Sequence, residues 1–151
     1  MNPDAFSTLI HDLCSTVGLG DSSHVLQTRA IEVEGFDVLF DHFDTDTDAI
    51  YLNFCFGTVT AGRTLTIFRL MLEANLIIYA QDQAQLGIDI DTGSIILIVR
   101  VPMTRELNGA VLANLLSHYA EHGRYWRQNI IESSDEMFKG ILTGDHLWLR
   151  A

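Results

Sequence analysis

The sequence predicts an α+β fold in which an antiparallel sheet packs with helices, in the order helix, strand, strand, strand, helix, strand, strand, helix. Three observations carry this. Two stretches of alternating apolar and polar residues lead directly into a third strand-like run, with connections too short for a crossover helix, so these strands are antiparallel neighbours. Elsewhere the apolar repeat changes to the helical period, near the N-terminus, in the middle and toward the C-terminus. Composition supplies the core: of 151 residues, 48% are apolar and 19% charged, too hydrophobic for a disordered chain. At this length a single domain over residues 1–151 is expected, because two halves would each be too small to bury a core comfortably.

Phe6, Leu9, Ile10, Leu13 and Val17 recur at i, i+3, i+4, i+7 and i+11, one apolar stripe on a helix from about Asp4 to Val17 that Gly18 and Gly20 end. Arg29 to Glu34 alternates Ile31 and Val33 with Glu32 and Glu34, and Asp37 to Phe43 alternates again after Gly35, which predicts a hairpin. An acidic turn, Asp44 to Asp48, leads to a third strand from Ala49 to Thr58. In strand two Val38 and Phe40 point one way and Leu39 and Phe43 the other. In strand three Ile50, Leu52, Phe54 and Phe56 make an inner face opposite Tyr51, Asn53 and Cys55. If the inner face packs on helices, Leu39, Phe43 and Tyr51 are left as shallow apolar surface, joined by part of the first-helix stripe, Phe6, Leu9 and Leu13.

Arg63 to Ala80 carries Leu65, Ile67, Phe68, Leu70, Met71, Leu72, Leu76, Ile77, Ile78 and Tyr79, which cover most of a helical circumference. One side can face the sheet, and the other needs a second apolar surface, most simply a copy of itself across a two-fold axis. A homodimer is therefore expected, with Leu72, Leu76 and Ile77 at the interface. Leu86 to Asp91 and Ser94 to Val101 flank the turn signal Asp91-Thr92-Gly93 and predict a second hairpin, closed by Pro102. Glu106 to Ile131 reads as a long amphipathic helix weakened at Gly123, and the tail from Glu132 is left without an assignment.

Nine Lys and Arg against 20 Asp and Glu give a formal charge of -11 and a pI near 4.7, so phosphate backbones and anionic lipid surfaces are repelled. No nucleic-acid partner is expected. No membrane insertion is expected either, since the richest apolar stretch contains Arg69, Glu73 and Asn75. The N-terminus lacks the basic region of a secretion signal, and Cys14 and Cys55 form no C-x-x-C pair. Both observations favour the cytoplasm.

Four segments imitate chemical motifs. Gly57 to Thr64 fits a phosphate-binding loop with Arg63 in place of Lys, but in a chain of consecutive antiparallel strands. Asp91-Thr92-Gly93-Ser94 matches the short signature of an aspartic protease, which a homodimer would complete, although a tight turn with Gly93 at positive φ accounts for it more simply. His118, Glu121 and His122 match a zinc-hydrolase spacing but are followed at once by Gly123. Asp44, Asp46 and Asp48 begin like a calcium loop that Ala49 and Cys55 then break. No catalytic residue, metal or cofactor is expected. The rival reading is a small dimeric hydrolase using Asp91 or the His118, Glu121 and His122 group.

The element order and several local segments resemble the CesT/Tir family of type III secretion chaperones, in the class that serves individual effectors. The segments are Leu72-Glu73-Ala74-Asn75-Leu76, Leu86-Gly87-Ile88-Asp89 with Asp91-Thr92-Gly93, Val101-Pro102 and Tyr125-Trp126. The similarity runs from about Ala5 to Ile131. It implies a cytoplasmic bacterial homodimer with a secretion-chaperone-like fold and no catalysis of its own. Its partner would be a secreted effector, whose N-terminal segment it holds extended, soluble and competent for export, with Phe6, Leu9, Leu13, Leu39, Phe43 and Tyr51 as the apolar contacts for that unfolded segment.

Overall fold

The computed structural model describes residues 3–59, 61–134, 136 and 139. The elements are α1 (Pro3–Val17), α2 (Ser22–Thr28), β1 (Ala30–Val33), β2 (Phe36–Phe43), β3 (Asp46–Thr58), α3 (Thr64–Asp82), β4 (Ala84–Ile88), β5 (Ser94–Pro102) and α4 (Gly109–Trp126), the last continued by a π-helical segment, Arg127–Ile131. The strands hydrogen-bond in the order β1-β2-β3-β5-β4, with β1–β2, β2–β3 and β4–β5 antiparallel. The chain divides into two compact units, one made of Met1–Phe54 with Arg100–Glu121, the other of Cys55–Val99 with His122–Ala151.

In the first unit, α1 ends as its sequence requires. Gly18 takes a left-handed φ of 78°, and the Leu19 N–H donates to the Cys14 carbonyl at 2.9 Å, closing the last turn. The β1–β2 hairpin turns on Glu34 and Gly35, both at positive φ (50° and 89°), which matches the right-handed twist of the flanking strands. Alternation then sorts the side chains. Phe36, Val38, Phe40, Ile50, Leu52 and Phe54 are buried on one face of β2 and β3, and their neighbours in sequence lie on the other.

The first-helix stripe differs from expectation. Phe6, Leu9 and Leu13 are buried, with Phe6 edge-on to Phe40 at 6.4 Å between ring centroids and under the Arg29 guanidinium at 5.6 Å. The stripe is core, because an amphipathic helix lying on a sheet gives its apolar side to that sheet. Leu13 also lies where α4 begins. The Gly109 N–H donates to the Asp12 carboxylate, and Asn108 caps the same helix by accepting from the Val111 N–H at 2.9 Å.

In the second unit, α3 turns Ile67, Leu70, Met71 and Ala74 inward. It ends at Gln83, whose left-handed backbone (φ 53°) directs its N–H to the Tyr79 carbonyl at 3.1 Å. Alternate residues of β5, Ile95, Leu97 and Val99, are buried, as are Ala84 and Leu86 of β4. The free edge of β4 is covered by a side chain. Asn75 of α3 donates to the Leu86 carbonyl at 3.1 Å and accepts from the Leu86 N–H at 2.6 Å, so one amide occupies the edge groups that another strand would need.

One added element and three shifted boundaries depart from the sequence reading. The short α2 was not expected; Asp21 starts it by accepting from the His24 N–H at 3.0 Å, and Val25 is its buried anchor. β3 begins at Asp46 instead of Ala49, paired with Phe43. β4 is Ala84–Ile88 because Asp89 leaves the strand to organise the turn. α4 starts at Gly109 and passes unbroken through the buried Gly123, the irregularity falling at Arg127–Ile131.

A Cβ on Gly109 would stand 2.5 Å from the Asp12 carbonyl carbon and oxygen and 2.7 Å from the Leu13 nitrogen, all backbone atoms that cannot swing aside. Gly109→Ala is therefore expected to destabilise the chain by roughly 1 to 3 kcal/mol. Urea unfolding monitored by circular dichroism checks this, and an unchanged midpoint contradicts it.

Candidate functional site

The outer face of β2 and β3, in the first unit, keeps apolar residues in solvent. Leu39 is 50% exposed and Phe43 41%, while Tyr51 is half-buried. These are three of the six residues expected to contact a client. The other three, Phe6, Leu9 and Leu13, are the core residues described above. Phe43 and Tyr51 meet edge to face with centroids 4.9 Å apart, a favourable aromatic geometry that fixes both rings.

A charged cluster holds this aromatic pair in place. Arg100 of β5 grips Asp46 with two parallel bonds, Nε to Oδ2 at 2.6 Å and Nη2 to Oδ1 at 3.0 Å, and the Tyr51 hydroxyl donates to Asp46 Oδ2 at 2.6 Å. These hydrogen bonds, from Arg100 first and Tyr51 second, pull the Asp46 carboxyl down to about 2. The same contact with Asp46 pushes the Tyr51 phenol and the Arg100 guanidinium up. Beside them the Asn53 amide donates to Asp41 Oδ2 at 2.7 Å. Asp46 thus serves Arg100 and Tyr51, which gives the acidic turn a structural use in place of a calcium ion.

The second unit has its own exposed apolar surface. Leu65, Phe68, Leu72, Leu76 and Tyr79 of α3 are all exposed, Leu72 at 70% and Leu76 at 81%. Their spacing of three and four residues puts them on one side of the helix, opposite Ile67, Leu70, Met71 and Ala74. Ile77, expected beside Leu72 and Leu76, is half-buried; standing at i+7 from Leu70 and i+3 from Ala74, it lies with the inward side of the helix and not on this stripe.

The motif-like segments resolve into local structure. Arg63 is buried, and its guanidinium donates to the Ile130 carbonyl at 2.9 Å, the Ser133 hydroxyl at 3.1 Å and the Ser133 carbonyl at 2.6 Å. It satisfies carbonyls at the end of the π-helical segment, where positive charge is favoured. Asp91 is exposed on a turn that Asp89 builds, Asp89 Oδ1 accepting from the Asp91 and Thr92 N–H groups at 2.8 and 3.2 Å. Gly93 takes φ 73° there, as a tight turn requires. His118 and Glu121 are exposed, and His122 is half-buried. Among the described residues no group of three or more His, Cys, Asp or Glu side chains is placed to hold a metal ion, and no helix is long and apolar enough to cross a membrane.

Comparison with known proteins follows the same outline. The model of the Tir chaperone protein (CesT) family matches residues 8–127. A comparison with curated proteins by sequence gives no significant match. Among solved structures, the chain is similar to one in the crystal structure of the ExsC–ExsE complex, with TM-score 0.70 and 15% identity, covering 88% of this chain and 98% of that one. It is also similar to one in the HopA1–SchA chaperone–effector complex, with TM-score 0.63 and 15% identity, covering 82% of this chain and 93% of that one. At this identity the two likenesses establish the fold.

Two outcomes follow from the polar contacts. Asp46 has a lowered carboxyl, so its stabilising contribution is complete above the ordinary carboxylate value of about 4 and is lost as the pH falls through about 2. Asp46→Asn is expected to melt below the wild-type protein at pH 6, the gap narrowing as acid is added; a gap constant down to pH 2 contradicts this. Arg63→Ala leaves buried carbonyls without their donor and is expected to cost about 2 to 4 kcal/mol in chemical unfolding, whereas a wild-type midpoint would show that Arg63 does not brace this segment.

Proposed function

From the premise that the chain belongs to the Tir chaperone protein (CesT) family, we propose that it is a type III secretion chaperone of the bacterial cytoplasm. It binds the N-terminal segment of a secreted effector in extended form and keeps that segment soluble until export. The observation that carries this reading is the outer face of β2 and β3, where Leu39, Phe43 and Tyr51 offer apolar surface on a rigid sheet. The description of the HopA1–SchA structure as a chaperone–effector complex supports it. The work is binding, and no bond is broken.

Energetics favour a dimer for such a task. Ordering each residue of an unfolded client costs about 1 to 2 kcal/mol of backbone entropy, while burying one large apolar side chain contributes roughly 1.5 to 3 kcal/mol. A client therefore needs many contacts, and two copies of the sheet face provide twice as many. The α3 stripe is suited to join them. In an isologous interface the stripe of Leu65, Phe68, Leu72, Leu76 and Tyr79 packs on the same stripe of the second copy, and each large apolar side chain it buries contributes roughly 1.5 to 3 kcal/mol against an association cost of about 4 to 15 kcal/mol. The surplus of carboxylates keeps a protein with this much exposed apolar surface in solution.

Leu72→Asp and Leu76→Asp each place a carboxylate in that interface and are expected to give monomer by size-exclusion chromatography with light scattering. Leu39→Asp and Phe43→Asp are expected to leave the dimer intact and to reduce effector capture at least tenfold in co-expression pull-downs. Wild-type capture by both sheet variants would overturn the client surface, and an unchanged dimer in both helix variants would move the interface elsewhere.

A further inference from the structure

Two carboxylates on the exposed side of the sheet in the first unit are answered from within the chain: Asp46 by Arg100 and Tyr51, and Asp41 by Asn53. One pair is not. Glu32 of β1 and Asp37 of β2 stand directly opposite each other in the antiparallel register, both exposed, and among the described residues neither has a cationic partner. Arg29, the cation nearest in sequence, lies over the Phe6 ring. Two like charges directly across a strand pair destabilise it.

The next row on the same face is apolar. Ala30 stands opposite Leu39, and Leu39 opposite Asn53. The small side chain of Ala30 leaves Leu39 uncovered. The two rows are two residues apart along the strands, about 6.6 Å, the same interval at which an extended peptide repeats side chains on one face.

Resting on the chaperone reading above, we infer that Glu32 and Asp37 form a selectivity site for the client. They take a Lys or Arg placed two residues from an apolar side chain that covers Leu39. The cation relieves the repulsion between the two carboxylates while the apolar residue is buried, so a client lacking either gains less. A purely apolar segment, or one with an acidic residue at that position, is discriminated against by charge.

The test uses fluorescein-labelled peptides of Ser, Thr and Gln with Leu at alternate positions. One carries Lys two residues from the first Leu, one has that Lys moved to three residues, and one has Gln in its place. Fluorescence anisotropy at low salt is expected to show the first bound about threefold to tenfold more tightly than the others. The preference disappears in the Glu32→Gln, Asp37→Asn double variant and at high salt. Equal binding of the first two peptides, or an undiminished preference in the double variant, overturns the inference while leaving the chaperone reading standing. Leu39→Asp separates the two ideas, since it should weaken all three peptides. Undiminished binding there, or no binding of any peptide by the wild-type chain, overturns the apolar client surface and the selectivity site with it.

Discussion

Apolar surface that the folded chain leaves uncovered is the constraint on which the rest of this structure depends. A β-strand puts neighbouring residues on opposite faces, so burying Val38 and Phe40 of β2 leaves Leu39 on the other side. A helix with apolar residues around most of its circumference faces the same limit. Ile67, Leu70, Met71 and Ala74 take the inward side of α3, and Leu72 and Leu76 are left in water. Both surfaces are contiguous with well-packed elements, which makes them rigid platforms whose burial needs little reorganisation.

Polar contacts determine where pairing remains open. Asn75 occupies the edge of β4 at Leu86, which discourages another strand from adding there. Arg63 ties Ile130 and Ser133 together, and Asp12 meets the first N–H of α4. Arg100 and Asp46 pin Tyr51 against Phe43. These contacts stabilise the scaffold, and they use charged residues that isolated motifs would assign to chemistry.

Much of the fold was legible in the sequence. Period-two alternation gave β1 to β3, the apolar surplus of α3 pointed to an outward stripe, and Gly18, Gly35 and Gly93 marked turns that the structure places at positive φ. The rest turned on information that periodicity does not hold. The two-turn α2 has only Val25 as a buried anchor, and its one signal was the Asp21-Ser22 cap. Whether the Phe6, Leu9 and Leu13 stripe is core or surface depends on which face of the sheet α1 covers, a tertiary fact. Arg63 looked like a substituted phosphate-loop lysine because its true partners lie almost seventy positions away. The Glu32 and Asp37 pairing was hidden for a different reason: the hairpin was legible, but its register depends on where the turn at Glu34 and Gly35 falls and not on either strand alone.

Hydroxyl-radical footprinting of Leu39, Phe43, Leu72 and Leu76 in three states tests the central claim most directly: the chain at high dilution, the concentrated chain, and its complex with an effector segment. The account predicts that all four react in the dilute chain, that Leu72 and Leu76 become protected on concentration, and that Leu39 and Phe43 become protected only in the complex. Protection of all four in the dilute chain, or continued labelling of Leu39 and Phe43 in the complex, would contradict it.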